Sequence, residues 1–250
     1  MSQPPANRKP ETPREISARF EGQAPGEILR WGLETFAGAA AGDASRAGIA
    51  MATGFGPEGV VLMHLLSRID RQATVFYLDT DLLFDETYAL RDELEARLGL
   101  RFTRVHGLSL EDQASEHGPA LWSHNPDQCC QLRKVAPLRR YLASKRAWIT
   151  AIRREQTPAR ANAGLVEWDR ANGLVKLNPL AAWTSAQVWA YLYDHDLPYN
   201  PLHDQGYPSL GCWPCTRAVS EGEDARAGRW PGLAKNECGI HLSLPQPAAV

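Results

Sequence analysis

The feature that most constrains the fold is a rhythm: through the first two thirds of the chain, short apolar runs alternate with longer amphipathic stretches. Strands buried on both faces read as short apolar runs, and amphipathic segments between them read as crossover helices. The alternation therefore specifies strand-helix-strand units stacked into a parallel sheet, an α/β fold. The predicted strands are 47–52, 74–78, 102–105 and 148–152, and the predicted helices are 59–68, 86–98, 132–145 and 185–195. Between residues 165 and 177 two apolar pieces flank Arg170 to Gly173, whose Asn172 and Gly173 suit a tight hairpin turn. After Leu197 the composition shifts to Pro, Gly and Cys with little periodicity, which predicts a loop-rich C-terminal lid over the sheet.

At 250 residues one domain is favoured. Residues 27–200 form its α/β body, and residues 201–250 form a segment packed on the same body. The Pro, Arg and Glu of the opening residues predict a disordered tail over 1–26, and the closing PQPAAV reads the same way. A formal net charge of -2 argues against broad nucleic-acid coating, although a local basic pocket stays open. No stretch has the length of a bilayer-spanning apolar segment, and the start lacks the apolar core of a secretory signal, so a cytoplasmic protein is expected.

The five cysteines are not read as a disulfide framework, since the cytoplasm keeps thiols reduced. Cys129 and Cys130 are adjacent, Cys212 and Cys215 form C-W-P-C, and Cys238 stands alone near the end. Two pairs far apart in sequence supply four thiolates, enough to hold a metal group. Adjacent cysteines are awkward ligands for one small ion because successive side chains diverge, whereas the iron corners of a cuboidal cluster lie far enough apart to accept both. A 4Fe-4S cluster is preferred to zinc on that ground. Buried free thiols or a C-x-x-C redox pair would use two cysteines and leave two idle. Cys238 lies near Lys235 and His241, which can favour the nucleophilic thiolate; the alternative is an incidental tail cysteine.

Three further stretches suit an anionic ligand. Thr53-Gly54-Phe55-Gly56-Pro57-Glu58-Gly59 follows a strand and opens a helix, where backbone N–H groups attract phosphate; the alternative is plain turn punctuation. Leu78, Asp79 and Thr80 end the next strand at the carboxyl edge of the sheet, where open α/β folds bind ligands. Arg153 and Arg154, with Arg160 after them, suit a phosphate or sulfate clamp, against the alternative of a solvated loop.

Jointly, LDTDLLFDETY at 78–88, CCQLRKVAPL at 129–138, RREQTPAR at 153–160, the long run at 176–219, GEDARAGRW at 222–230 and ECGIH at 237–241 resemble the assimilatory sulfonucleotide reductases. The resemblance covers roughly 45–242 and points to the cluster-containing adenylyl-sulfate reductase group. It implies an adenine nucleotide alpha hydrolase-like (PP-loop-type) fold and reduction of adenylyl sulfate to sulfite and AMP by a thioredoxin or glutaredoxin-type dithiol. It further implies that Cys129, Cys130, Cys212 and Cys215 hold the cluster and that Cys238 is the nucleophile. Lys134, Arg226, Arg229 and His241 are implied to hold the phosphate and sulfate. The nucleotide loops are implied at Thr53, Gly54, Phe55, Gly56 and Glu58, at Leu78 to Thr80, and at Arg153, Arg154 and Arg160. The chain departs from the usual pattern at Asp81, where L-D-T-G is common, at Thr53-Gly54 in place of a serine-bearing turn, and at Ala151 in place of glycine. Rival readings are a reductase of the 3'-phosphorylated substrate, an ATP-using adenylating enzyme, and a zinc-stabilised binding module without catalysis. A homo-oligomer is left open.

Overall fold

The computed structural model describes residues 11–36, 48–235 and 237–241. The expected strand start at Ala47 and the closing PQPAAV lie outside them.

Six strands form one sheet in the order β3-β2-β1-β4-β6-β5: β1 (Ile49–Thr53), β2 (Val75–Asp79), β3 (Phe102–His106), β4 (Ala147–Ile149), β5 (Val166–Asp169) and β6 (Leu174–Leu177). All neighbours are parallel except β5, which returns antiparallel on β6 through the turn at Gly173, where φ is +69°. The alternation of the strands sorts their side chains onto two faces. Met51, Val75 and Ile149 point to one face, where they pack with α2 (Pro25–Phe36), α3 (Pro57–Ile69), α4 (Asp85–Leu98) and α9 (Ser185–Asp194). Ala50, Phe76 and Trp148 point to the other, under Leu138 and Leu142 of α8 (Ala136–Leu142). A sheet covered on both faces is what near-continuous apolar strands require. The chain leaves β1 towards β2 on one side and reaches β4 on the other, so the topological switch point, where such sheets bind ligands, lies beyond the carboxyl ends of β1 and β4.

Two expectations are corrected. The stretch read as a tail contains α1 (Pro13–Phe20) and the start of α2. Thr12 and Glu15 form a reciprocal capping box with Pro13 in the first turn, and Phe20 is buried against Trp31 at 5.5 Å between ring centroids. Local composition masked this cap. The helix expected over 132–145 starts earlier and is not uniform: α7 (Pro126–Cys130) precedes it, a π turn (Gln131–Val135) replaces its first turn, and α8 ends at Leu142. Pro137 has no N–H for the Arg133 carbonyl, and the Ala136 N–H reaches back to Gln131 O, which widens the turn. The remaining helices are α5 (Leu110–His117) and α6 (Leu121–His124). Among the described residues no helix is long and apolar enough to cross a membrane.

Candidate active site

The glycine-rich turn sits at the end of β1, as its sequence requires. Thr53 Oγ1 accepts from the Phe55 N–H at 3.0 Å, and Gly59 leaves no room for a Cβ, which would stand 2.8 Å from that hydroxyl. Phe55 takes a positive φ of 58°, and its ring turns into the core against Tyr77 and Phe102. Of this residue only the backbone is available to a ligand. Gly54 is exposed, Gly56 caps α3, and Glu58 receives a hydrogen bond from Arg153 Nε at 2.8 Å. The two adjacent arginines diverge: buried Arg153 turns to Glu58, whereas Arg154 turns outward to Glu21.

Beyond β2, charge is gathered into a network that the sequence did not announce. Asp79 accepts from Tyr88 at 2.7 Å and Arg104 at 2.6 Å; Asp81, held at a φ of 54°, accepts from Arg104, His106 and Arg133. Burial alone would raise the Asp79 pKa, but Tyr88, the Asp81 N–H and Arg104 outweigh it and hold the carboxyl below its usual range. Arg133 is 2 % exposed and donates to the carbonyls of Thr80 and Leu108 as well as to Asp81. The Thr80 hydroxyl in turn lies 3.2 Å from Cys212 Sγ, while Leu78 packs on the second face of the sheet.

Cys129, Cys130, Cys212 and Cys215 line one pocket, together with Lys134, Arg229 and Trp230. The C-W-P-C segment is stitched in from both sides: the Trp213 N–H donates to Leu82 O, and the Trp230 N–H donates to Cys215 O. Burial pushes the Cys129 thiol up to about 12 and the Cys215 thiol up to about 11. Among the described residues no three His, Cys, Asp or Glu side chains gather as a set for a single metal ion, and the four cysteines share the lining of one pocket. Four thiol donors on one pocket are a set that fits a thiolate-bound metal group. Burial opposes the Lys134 charge, yet the neighbouring Cys212, Cys238 and Cys130 outweigh it and push its pKa up.

The C-terminal segment, expected as a loop-rich lid over the sheet, is docked on the body. Lys235 pairs with Asp127, Ile240 packs on the second core cluster, and the His241 ring stacks on Trp148 at 5.7 Å. Burial and the nearby Lys176, Arg160 and Arg226 hold the His241 pKa well below its usual value, so this residue serves as a neutral imidazole. Glu237, only 8 % exposed in its side chain, pairs with Arg160 at 2.8 Å and Arg226 at 3.5 Å. A hydrogen-bonded chain thereby runs from the glycine-rich turn to the tail through Glu58, Gln156, Arg160 and Glu237. Gln156 and Glu237 lay inside recognisable motifs, but no pattern in them indicated these contacts. Cys238 lies close enough to Cys130, Lys134 and Arg226 for its charge to act on each.

Arg229 owes its place to Gly211, because a Cβ there would stand 2.2 Å from the guanidinium Nη2. The arginine donates to Leu210 O at 2.9 Å and lies over the Trp230 ring. Gly211→Ala is expected to swing Arg229 out of the pocket and lower kcat/KM by about tenfold or more, the scale of one charge-assisted hydrogen bond. Unchanged steady-state kinetics in this variant would remove Arg229 from the site.

These parts define a nucleotide-binding class of α/β protein: a parallel sheet with a glycine-rich turn at its switch point, an arginine cluster, and a cysteine pocket beside a lone thiol. A sequence profile described as the phosphoadenosine phosphosulfate reductase domain matches residues 48–218, and the chain belongs to that family. An adenosine 5'-phosphosulfate reductase from Salinibacter ruber is 52% identical over 91% of this chain and 88% of its own. A phosphoadenosine 5'-phosphosulfate reductase from Gloeobacter violaceus is 45% identical over 90% and 92%. Among solved structures, a phosphoadenylyl-sulfate reductase from Candida auris in complex with phosphate superposes with a TM-score of 0.69 at 29% identity, covering 85% of this chain and 98% of that one. An FMN adenylyltransferase from Candida glabrata, at 15% identity and TM-score 0.54, shares the fold alone.

Proposed function

We propose that this chain reduces adenylyl sulfate to sulfite and AMP, with electrons from a thioredoxin or glutaredoxin-type dithiol. The observation that carries the reading is the pairing of four cysteines on one pocket with a fifth, Cys238, within electrostatic reach of Lys134 and Arg226. Relatives bear the names of both the adenosine 5'-phosphosulfate and the phosphoadenosine enzymes, so the cysteine set, not the names, selects the substrate without a 3'-phosphate.

Each group then has a task. The turn from Thr53 to Glu58, the end of β2 at Leu78 to Thr80, and Arg153 border the nucleotide crevice. Arg160, Arg226, Arg229 and Lys134 offset the charge of the phosphosulfate, letting a thiolate approach an anion. His241 backs this cluster as a neutral ring, and Arg154 supports the crevice from outside through Glu21. The Cys238 thiolate attacks the sulfate sulfur, the S–O bond to AMP breaks, and its electron pair leaves on the AMP phosphate. The sulfonate stays on Cys238 as S-sulfocysteine. A partner thiolate attacks Cys238 Sγ and expels sulfite, and the partner's second thiol resolves the mixed disulfide. Cys129, Cys130, Cys212 and Cys215 would hold a 4Fe-4S cluster, which supplies a fixed local field around Lys134 when bound. A chemistry that needs five reduced thiols suits the reducing cytoplasm.

Two measurements on anaerobically purified protein test this. Iron and acid-labile sulfide should each approach about four per chain, the content of a cubane held by four thiolates. Sulfite should be released from adenylyl sulfate with thioredoxin present, and little from the 3'-phosphorylated nucleotide. Stoichiometric zinc without sulfide, or preference for the 3'-phosphorylated substrate, would overturn the reading.

A further inference from the structure

The residue before the nucleophile carries a carboxylate where an anion-binding site is least expected to have one. Glu237 is almost fully buried, and both partners of its carboxylate, Arg160 and Arg226, are cations assigned above to the substrate's phosphosulfate. Its other oxygen is 3.5 Å from the Thr157 hydroxyl. The carboxylate is not needed to hold the tail as a whole. Lys235 is tied to Asp127 and lies over the Trp230 ring, Ile240 packs on the second core cluster, and His241 stacks on Trp148. Gly239, at a φ of 92°, gives the segment a joint between Cys238 and those last anchors.

We propose that Glu237 is an internal competitor for the oxyanion site: its carboxylate occupies Arg160 and Arg226 in the resting chain and is displaced by the phosphosulfate of the substrate. This rests on the clamp reading given above. A phosphosulfate spreads its two negative charges over several cations at once, whereas inorganic sulfate, equally a dianion, makes fewer contacts against the same carboxylate. Any ligand that needs these arginines binds more weakly by the factor with which Glu237 occupies them. Glu237 therefore acts as a positioning residue that raises the affinity threshold for every anion at this site. It keeps weak anions off the arginines, returns as products leave, and in its paired state holds the neighbouring Cys238 close against the pocket.

The test uses the full-length, cluster-loaded chain with inorganic sulfate as the probe. Glu237→Gln keeps the side-chain shape and removes the charge. Sulfate should inhibit this variant against adenylyl sulfate roughly tenfold more strongly than wild type, the range expected for loss of one partly buried ion pair. Its KM should fall without a gain in kcat, and Glu237→Ala should move in the same direction. Alkylation of Cys238 by iodoacetamide, followed on its peptide by mass, should speed up with sulfate in wild type and ignore sulfate in Glu237→Gln. An unchanged or weaker sulfate inhibition in both variants would overturn the competitor role. Arg160→Ala separates the two levels: if it weakens sulfate inhibition while the Glu237 variants do nothing, the clamp stands and the competitor falls. If Arg160→Ala also does nothing, both fall.

Discussion

Cys238→Ser is expected to abolish turnover, by at least ~10⁴-fold, while the protein keeps its colour and its nucleotide affinity. The two halves of this expectation have separate causes. The pocket is lined by the other four cysteines, and Cys238 is not among them, so a serine at 238 leaves every thiol of that pocket in place. The chemistry, in contrast, needs an anion. A serine hydroxyl stays protonated near neutral pH, whereas sulfur is intrinsically the stronger nucleophile and the thiolate its attacking form. Wild-type protein given adenylyl sulfate without reductant should gain a sulfonate on the peptide bearing Cys238, discharged as sulfite when thioredoxin is added. An adduct on another cysteine, or steady turnover in the serine variant, would defeat the mechanism and leave the fold untouched.

Much of this architecture was legible because it rests on local pattern. The buried strands announced themselves as apolar runs, the hairpin by Asn172 and Gly173, and the cysteine pocket by two pairs with no other employment. What stayed hidden depends on where side chains turn. Arg153 and Arg154 look alike in sequence, yet one is buried against Glu58 and the other faces Glu21 at the surface. Phe55 sits inside a ligand-type turn, but its ring is core. The widened turn before Pro137 moved no residue type, only the backbone register around Arg133 and Lys134. Helix α1 was lost because proline and charge dominated its composition, although Thr12 and Glu15 spelled its cap.

Arg133, adjacent to the catalytic candidate Lys134 and indistinguishable from it in pattern, is the residue whose loss should cost the fold most. It is buried at 2 % exposure and serves the Thr80 carbonyl through Nε at 2.8 Å, the Leu108 carbonyl through Nη1 at 2.8 Å, and Asp81 through Nη2 at 2.7 Å. Arg133→Met retains most of the volume but strands two carbonyls and leaves Asp81 with Arg104 and His106 alone. Asp81 is itself 27% exposed, so water tempers the loss of its charge partner. Removing one side of a buried pair costs about 3 to 5 kcal/mol, and this partial exposure points to about 3. At a few degrees per kcal/mol for a chain of this size, the melting temperature should fall by roughly 10 °C. Arg133→Lys should recover less than half of that, because an ammonium cannot present the planar fork that reaches all three acceptors. The damage should also reach the cysteines, since the Thr80 that Arg133 anchors has its hydroxyl on Cys212 Sγ. Urea unfolding and iron content measured on the same anaerobic samples would read both effects. A loss below about 1 kcal/mol with full iron retention would show that the network around Asp81 is maintained without its central guanidinium.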